Sequence, residues 1–273
     1  MRELKEETAR IYEEYQQKIQ ELTNQIAQER DKFKFLYGLL TKTGDELVEC
    51  VKQALTFIGF KDVRDVDKII ESKGKSKLKQ EDLQIHDKSP ALLIEIKGLT
   101  GFPTESDCNQ VIKYVHRRMK DWRRVDVKGI TIINHQRNIP PLNRKKAFTE
   151  QQINDAESQD YLLLINWDLF RLIKGLIDWN WNPQFVKDRF YEVGRMVVLP
   201  TNYIYVGQIF NYWEKPAAYG LEITENVELK RGDRLGYKLE NEFLEEIITS
   251  LQIDNRDVDK AVKGNKVGIK TIV

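Results

Sequence analysis

Two cysteines in 273 residues, Cys50 and Cys108, are too few for a disulfide framework. Long apolar runs are missing too. The stretch at residues 91–94 is stopped by Glu95, far short of the roughly 18 residues a membrane helix needs, so no membrane partner is expected. The opening MRELKEETARIYEE is acidic and lacks the basic start and apolar core of a secretory signal, which points to a reducing, cytoplasmic setting. The three histidines, His86, His116 and His135, share no ligand spacing, and no cysteine pair lies near them, so a zinc site is not expected. Gly74-Lys75-Ser76 has the tail of a phosphate-binding loop without its upstream glycine. Nor does one sign of charge dominate: 44 basic side chains against 43 acidic leave +1, unlike a histone-like binder or a charged disordered tail.

What is present is enough for a core. Hydrophobic residues make up 41% and aromatics 10%, in a chain long enough for one large domain or two modest ones. Over residues 4–40 the only glycine is Gly38 and there is no proline. Tyr12, Tyr15, Ile19, Leu22, Ile26, Phe33, Leu36 and Leu40 recur in steps near three and four, broken at Glu29. That period predicts one long helix with an apolar seam, which either docks on its own domain or joins two copies as a coiled coil.

A second helix is predicted from a Thr43/Glu46 capping box to Gly59, with Leu47, Val51, Leu55 and Ile58 on its buried stripe. The KGKSKLK run at 73–79 reads as an exposed loop. Two strands follow, at 82–86 and 91–97, joined by a turn at Asp87-Lys88-Ser89-Pro90. A helix is predicted at 107–122, buried strands at 129–134 and 161–165, and a helix at 168–177. After Pro200 the chain turns to short strand-like runs, at 203–210, 217–223, 234–238, 243–253 and 266–272, the spacing of a small β-barrel.

The chemistry concentrates around Asp82 and Ile94-Glu95-Ile96-Lys97. Strand alternation puts Glu95 and Lys97 on one face. If the 87–90 turn folds the two strands together, Asp82 meets Glu95, and two carboxylates at close range call for a divalent cation. Asp82 followed by Glu95-x-Lys97, behind an amphipathic helix ending Ile58-Gly59-Phe60, resembles the PD-(D/E)XK nuclease superfamily, in particular its Mrr-like branch. Gln110-x-x-x-Tyr114 resembles an element of the RecB-like members.

The resemblance implies an α/β, restriction-endonuclease-like mixed sheet flanked by helices over residues 42–194, preceded by the long helix (1–41) and followed by the barrel (195–273). It also implies a metal-dependent endonuclease acting on DNA, with RNA the less favoured substrate, in defence or repair. Asp82, Glu95 and the Ile96 carbonyl would hold Mg²⁺, with Mn²⁺ as the alternative, and Lys97 would orient or deprotonate the attacking water, aided by a lowered pKa. Where the family carries an acid on the first helix, this chain has Val48; Glu49 is the nearest substitute, with Asp45 and Glu46 as others.

Gln110 and Tyr114 share a helical face, where they either position water or phosphate or belong to the core and surface. Between residues 113 and 146 there are eleven Lys or Arg and two acids, a local +9, which reads as a phosphate-tracking surface; Lys113, Tyr114, Arg117, Arg118, Arg123, Arg124, Arg144 and Lys145 are its candidate contacts.

Leu229-Lys230-Arg231-Gly232-Asp233, Ile248-Thr249-Ser250-Leu251-Gln252-Ile253 and Ala261-Val262-Lys263-Gly264-Asn265-Lys266 resemble the second-domain barrel of translational GTPases of the elongation factor Tu type. With no GTPase domain beside it, the resemblance implies a binding unit whose partner is unknown. A catalytically inactive nucleic-acid-binding adaptor and an RNA- or ribosome-associated factor are the competing readings.

Overall fold

The seam of the amino-terminal helix runs only as far as Lys32. In the computed structural model, which describes residues 1–72, 80–198, 203–238 and 243–271, α1 (Arg2–Lys32) ends at Phe33 and a separate helix α2 (Lys34–Thr41) follows. The expected single helix is therefore two. The reason is burial: α2 sinks Phe35, Gly38 and Leu39 into the core, whereas Tyr12, Tyr15, Ile19, Leu22 and Ile26 of α1 remain exposed. Gly38 is required there, because a Cβ would stand 2.3 Å from the Cys50 sulfur. Gly38→Ala is expected to cost about 1–3 kcal/mol, read as a lowered denaturation midpoint.

α3 (Gly44–Ile58) buries Leu47, Val51, Leu55 and Ile58 completely and ends at Gly59, whose φ of 107° is the left-handed cap that glycine favours. The capping box does not form. Thr43 donates its hydroxyl to the Gly98 carbonyl (3.3 Å), and Glu46 pairs with Lys42 (3.0 Å). A short strand and helix that the sequence did not announce come next, β1 (Val63–Asp65) and α4 (Val66–Ser72). The 73–79 run lies outside the described residues.

β2 (Leu83–Ile85) and β3 (Ala91–Gly98) form the expected hairpin. α5 (Glu105–Trp122) opens on a capping box between Thr104 and Asp107; β4 (Val127–Asn134) is buried along its whole length. α6 (Glu150–Ser158), β5 (Tyr161–Ile165), α7 (Asn166–Trp179), α8 (Pro183–Arg189) and β6 (Gly194–Arg195) complete the first unit, which spans Met1–Met196.

Its sheet runs in the order β1-β2-β3-β4-β5-β6, antiparallel from β1 to β3 and parallel from β3 to β6. Parallel strands need crossover helices that cover both faces, which is why β3, β4 and β5 read as continuous apolar runs. α5 and α6 cover one face over a core that includes Leu93, Val111, Tyr114, Phe148 and Leu163; α3 and α7 cover the other. The expected α/β architecture is the one found: a mixed sheet flanked by helices, a long helix before it and short strands after it.

The second unit, Val197–Val273, holds nine strands among its described residues: β7 (Gly207–Trp213), β8 (Ala218–Ile223), β9 (Glu228–Lys230), β10 (Arg234–Lys238), β11 (Phe243–Ile247), β12 (Gln252–Ile253), β13 (Arg256–Asp257), β14 (Lys260–Val262) and β15 (Lys266–Lys270). Three antiparallel ladders, β13-β12-β15-β8-β7, β10-β11 and β9-β14, share one core built on Tyr219, Leu221, Leu235, Leu251 and Ile269. Within it the buried Glu246 carboxylate accepts hydrogen bonds from Tyr237 and from Thr271 (2.9 Å). Gly232 and Gly264, at φ of 93° and 87°, make the two turns expected of them.

Candidate active site

Asp82 sits just before β2 and lengthens the hairpin by one step. Its amide donates to the Ile94 carbonyl (3.0 Å), and its carboxylate accepts the Ile96 amide (2.6 Å). The amide and carbonyl of one strand residue point to the same edge, so the Ile96 carbonyl also faces the Asp82 side. On β3, Glu95 and Lys97 lie on the α5 face. Lys97 Nζ reaches Glu95 Oε1 at 2.6 Å, and the Gln110 amide donates to that same oxygen at 2.6 Å and to the Tyr114 hydroxyl at 3.0 Å. The fold thus brings together Asp82, Glu95, Ile96, Lys97, Gln110 and Tyr114.

The distribution of partners over Glu95 is uneven. Oε1 has two donors, while Oε2 is buried and has no hydrogen-bond partner, although the residue is only 3% exposed. A buried lone carboxylate oxygen is costly unless something positive meets it. Burial, and after it the Glu95 charge, pushes the Asp82 carboxyl up to about 7. Burial likewise raises Glu95.

Lys97 behaves otherwise than expected. Burial is the largest single influence and works to lower its pKa, but the bond to Glu95 and the charges of Glu95 and Asp82 together outweigh it, and the ammonium is held above its ordinary value. Lys97 is therefore a firm cation in this geometry, suited to neutralising charge rather than to taking a proton.

Among the described residues no three His, Cys, Asp or Glu side chains converge into a ready-made metal cage. Asp82 and Glu95 supply two carboxylates. That donor set, with a backbone carbonyl and an unpartnered buried oxygen, fits Mg²⁺, which takes one or two carboxylates and fills its shell with water and substrate phosphate. Glu49 is not part of it. Its described partners are Lys68 (2.7 Å) and Gln53 (3.1 Å), and the Lys68 bond holds its carboxyl below the usual range. An acid that the sequence reading passed over, Asp67 in the first turn of α4, lies near Asp82 without joining it in a three-ligand cluster among the described residues. The neighbouring Val66 amide donates to the Asp82 carbonyl (3.1 Å), and the Asp67 charge adds to the field that raises Asp82. Recognising β1 and the helix after it would have pointed to this residue, but three strand residues are too few to show a period.

The +9 stretch does not form one surface. β3 and β4 are parallel, so α5 carries the chain back from the Gly98 end of the sheet to the Val127 end, about 27 Å over its 18 residues. Arg123 and Arg124 stand at the Val127 end, away from Lys97; Arg144 and Lys145 follow the other end of β4. Three of the arginines expected to meet phosphate are committed within the protein. Arg118 Nε binds the fully buried Glu81 (2.6 Å), and Arg124 Nε binds Asp126 (2.6 Å). Arg144 bridges the Ile139 and Leu40 carbonyls and Asn134, each at 2.8–2.9 Å. Tyr114 is core, 1% exposed. Lys113 and Arg117 are exposed and lie over its ring at 5.0 and 5.7 Å, and Arg123 and Lys145 are exposed as well.

No helix among the described residues is long and apolar enough to cross a membrane. No family model matches this chain, and no curated protein does. Among solved structures it is similar to the restriction endonuclease FokI, at 12% identity and a TM-score of 0.39 over 58% of this chain and 30% of that one. It is also similar to the apo form of the translation elongation factor SelB from Methanococcus maripaludis, at 13% identity and a TM-score of 0.19 over 65% of this chain and 36% of that one. The chain thus spans about a third of the length of either protein.

Proposed function

We propose that this chain is a Mg²⁺-dependent endonuclease of the PD-(D/E)XK type that hydrolyses phosphodiester bonds in DNA. The observation that carries the reading is the buried, unpartnered Oε2 of Glu95 beside an Asp82 carboxylate that Glu95 itself crowds. Asp82 and Glu95, with the Ile96 carbonyl, would hold the ion, which when bound supplies a counter-charge for the pentavalent phosphorus and acidifies water. Gln110 fixes the Glu95 carboxylate by its bond to Oε1. Lys97 serves as a cation for the charge that develops on phosphate oxygen. Lys113, exposed on α5 above Tyr114, is the basic group best placed to meet the DNA backbone near the dyad. Mn²⁺ would substitute for Mg²⁺, and the partner of the second unit is left unnamed.

The test is incubation of supercoiled plasmid with the chain and Mg²⁺, with EDTA and Asp82→Ala as controls. Nicking or cutting that both controls abolish is expected; cleavage that survives Asp82→Ala overturns the assignment. The competing reading, a nucleic-acid-binding adaptor without turnover, draws support from the Glu49–Lys68 pair, which turns away the acid nearest Val48. It predicts salt-sensitive DNA binding with no metal-dependent product.

A cutter with one site per chain needs two chains to sever a duplex. We propose that α1 supplies the contact to a second copy. From Tyr12 to Ile26 its exposed seam has the 3.5-residue period of a two-stranded coil, and the flanking Gln16, Lys18, Thr23, Gln25 and Arg30 put no like charges opposite one another in a parallel pair, although Glu29, which breaks the seam, would there face its own copy. Leu22→Lys is expected to turn a dimer into a monomer by light scattering and to remove any concentration dependence of the melting temperature; a wild-type monomer at about 50 µM contradicts this.

A further inference from the structure

Glu81, the residue before Asp82, has no exposure to solvent at all. A carboxylate in that position needs a partner, since an uncompensated buried charge is strongly destabilising. Its Oε1 accepts from Arg118 Nε and from the Gln84 amide, both at 2.6 Å. Arg118 also bonds the Gln80 side chain through Nη2, and its guanidinium lies over the Trp122 ring at 5.6 Å. Trp122 meets the His86 ring at 5.3 Å, and His86 Nε2 bonds the Gln84 side chain at 2.9 Å. The contacts close a loop from Glu81 through Gln84, His86, Trp122 and Arg118 back to Glu81. That loop ties the segment around Asp82 to α5.

On α5, Gln110, Tyr114 and Arg118 are spaced by four and therefore lie on one helical face, beside the Val111 and Val115 side chains that pack on β4. Gln110 holds Glu95, and Arg118 holds Glu81 beside Asp82. One rigid helix thus grips both halves of the carboxylate pair. We infer that Arg118 is a positioning residue: through Glu81 it fixes where Asp82 stands relative to Glu95, and so sets the affinity of the pair for a divalent cation. It takes no part in DNA binding, because its guanidinium is already engaged. This rests on the metal-site reading of Asp82 and Glu95.

The experiment measures Mn²⁺ binding by titration calorimetry and duplex binding in EDTA, for the wild type, Asp82→Asn and the double variant Glu81→Met/Arg118→Met. Replacing a buried ion pair by apolar side chains of similar volume is often neutral for folding, so the double variant should keep its melting temperature within a few degrees. Its Mn²⁺ affinity should fall about 10–100-fold, the range seen when groups supporting metal ligands are lost. Its affinity for DNA in EDTA should stay within about 2-fold. Wild-type Mn²⁺ affinity in the double variant, with binding lost in Asp82→Asn, overturns the role of Arg118 and leaves the metal site standing. A wild type that binds no Mn²⁺ overturns both. A loss of DNA affinity in EDTA would make Arg118 a phosphate ligand and likewise overturn the inference. Should the double variant fail to fold, Arg118→Lys decides: it keeps the charge on Glu81 but loses the planar fork. It is expected to weaken Mn²⁺ binding about 3- to 10-fold, and an unchanged affinity refutes the role.

Discussion

Asp82→Asn is expected to abolish Mg²⁺-dependent cleavage and, in the same molecule, to raise the melting temperature of the metal-free protein at pH 8. The two effects share one cause. Burial first and the Glu95 charge second push the Asp82 carboxyl up to about 7 in the folded protein, against about 4 in an unfolded chain. The folded state therefore holds the proton more tightly than the unfolded one, and stability falls as pH rises from about 4 to about 7. Above that window the whole penalty is present, on the order of a few kcal/mol at about 1.4 kcal/mol per unit. Asparagine removes the charge and keeps an oxygen that can accept the Ile96 amide.

For a unit of this size a gain of about 2 kcal/mol corresponds to about 4–8 °C. Thermal melts at pH 5 and pH 8, in EDTA, decide the matter. The variant should exceed the wild type at pH 8 and lose most of that advantage at pH 5. Mg²⁺ should raise the wild-type midpoint at pH 8 more than at pH 5, because bound cation replaces the proton. An Asp82→Asn chain that melts below the wild type at pH 8 contradicts the crowding of the two carboxylates.

Lys97→Met should reduce cleavage by about 10²–10³-fold while DNA affinity in EDTA changes by less than about 2-fold. Among the described residues, Lys97 Nζ is one of two donors to Glu95 Oε1, and Oε2 has none. Without the ammonium, Glu95 remains buried with the Gln110 amide alone and shifts further toward its neutral form, so metal and transition-state charge lose support together. Lys97→Arg separates these losses. It restores the charge on Glu95, so metal affinity should recover; a wider, planar head group should leave turnover depressed by at least about 10-fold. Single-turnover rates on a nicking substrate, with Mn²⁺ affinities measured alongside, make the comparison. Full activity in Lys97→Met would remove the lysine from the chemistry.

Much of the site was written in local pattern. The alternation Ile94-Glu95-Ile96-Lys97 put the acid and the lysine on one face, and the short 87–90 turn fixed the hairpin register that brings Asp82 across to the Glu95 end of β3. The α3 stripe, its end at Gly59 and the buried runs of β4 and β5 were legible for the same reason: each is a periodic signal carried by neighbouring residues.

The partners of charged side chains were not, since they lie far apart in the chain. Arg118 finds Glu81 across 37 positions, Arg144 finds Leu40 across 104, and Glu49 finds Lys68 across 19. A count of charge along residues 113–146 could not know that Arg118 and Arg144 turn into the protein. Periodicity likewise ran the first helix through Phe33, where burial of Phe35 and Leu39 broke it. The sequence by itself determined which carboxylates and which lysine share a face, through the fixed periods of helix and strand. Only the tertiary structure decided which charges remain free to act, because a buried ion pair is chosen by three-dimensional proximity and desolvation, neither of which has a period.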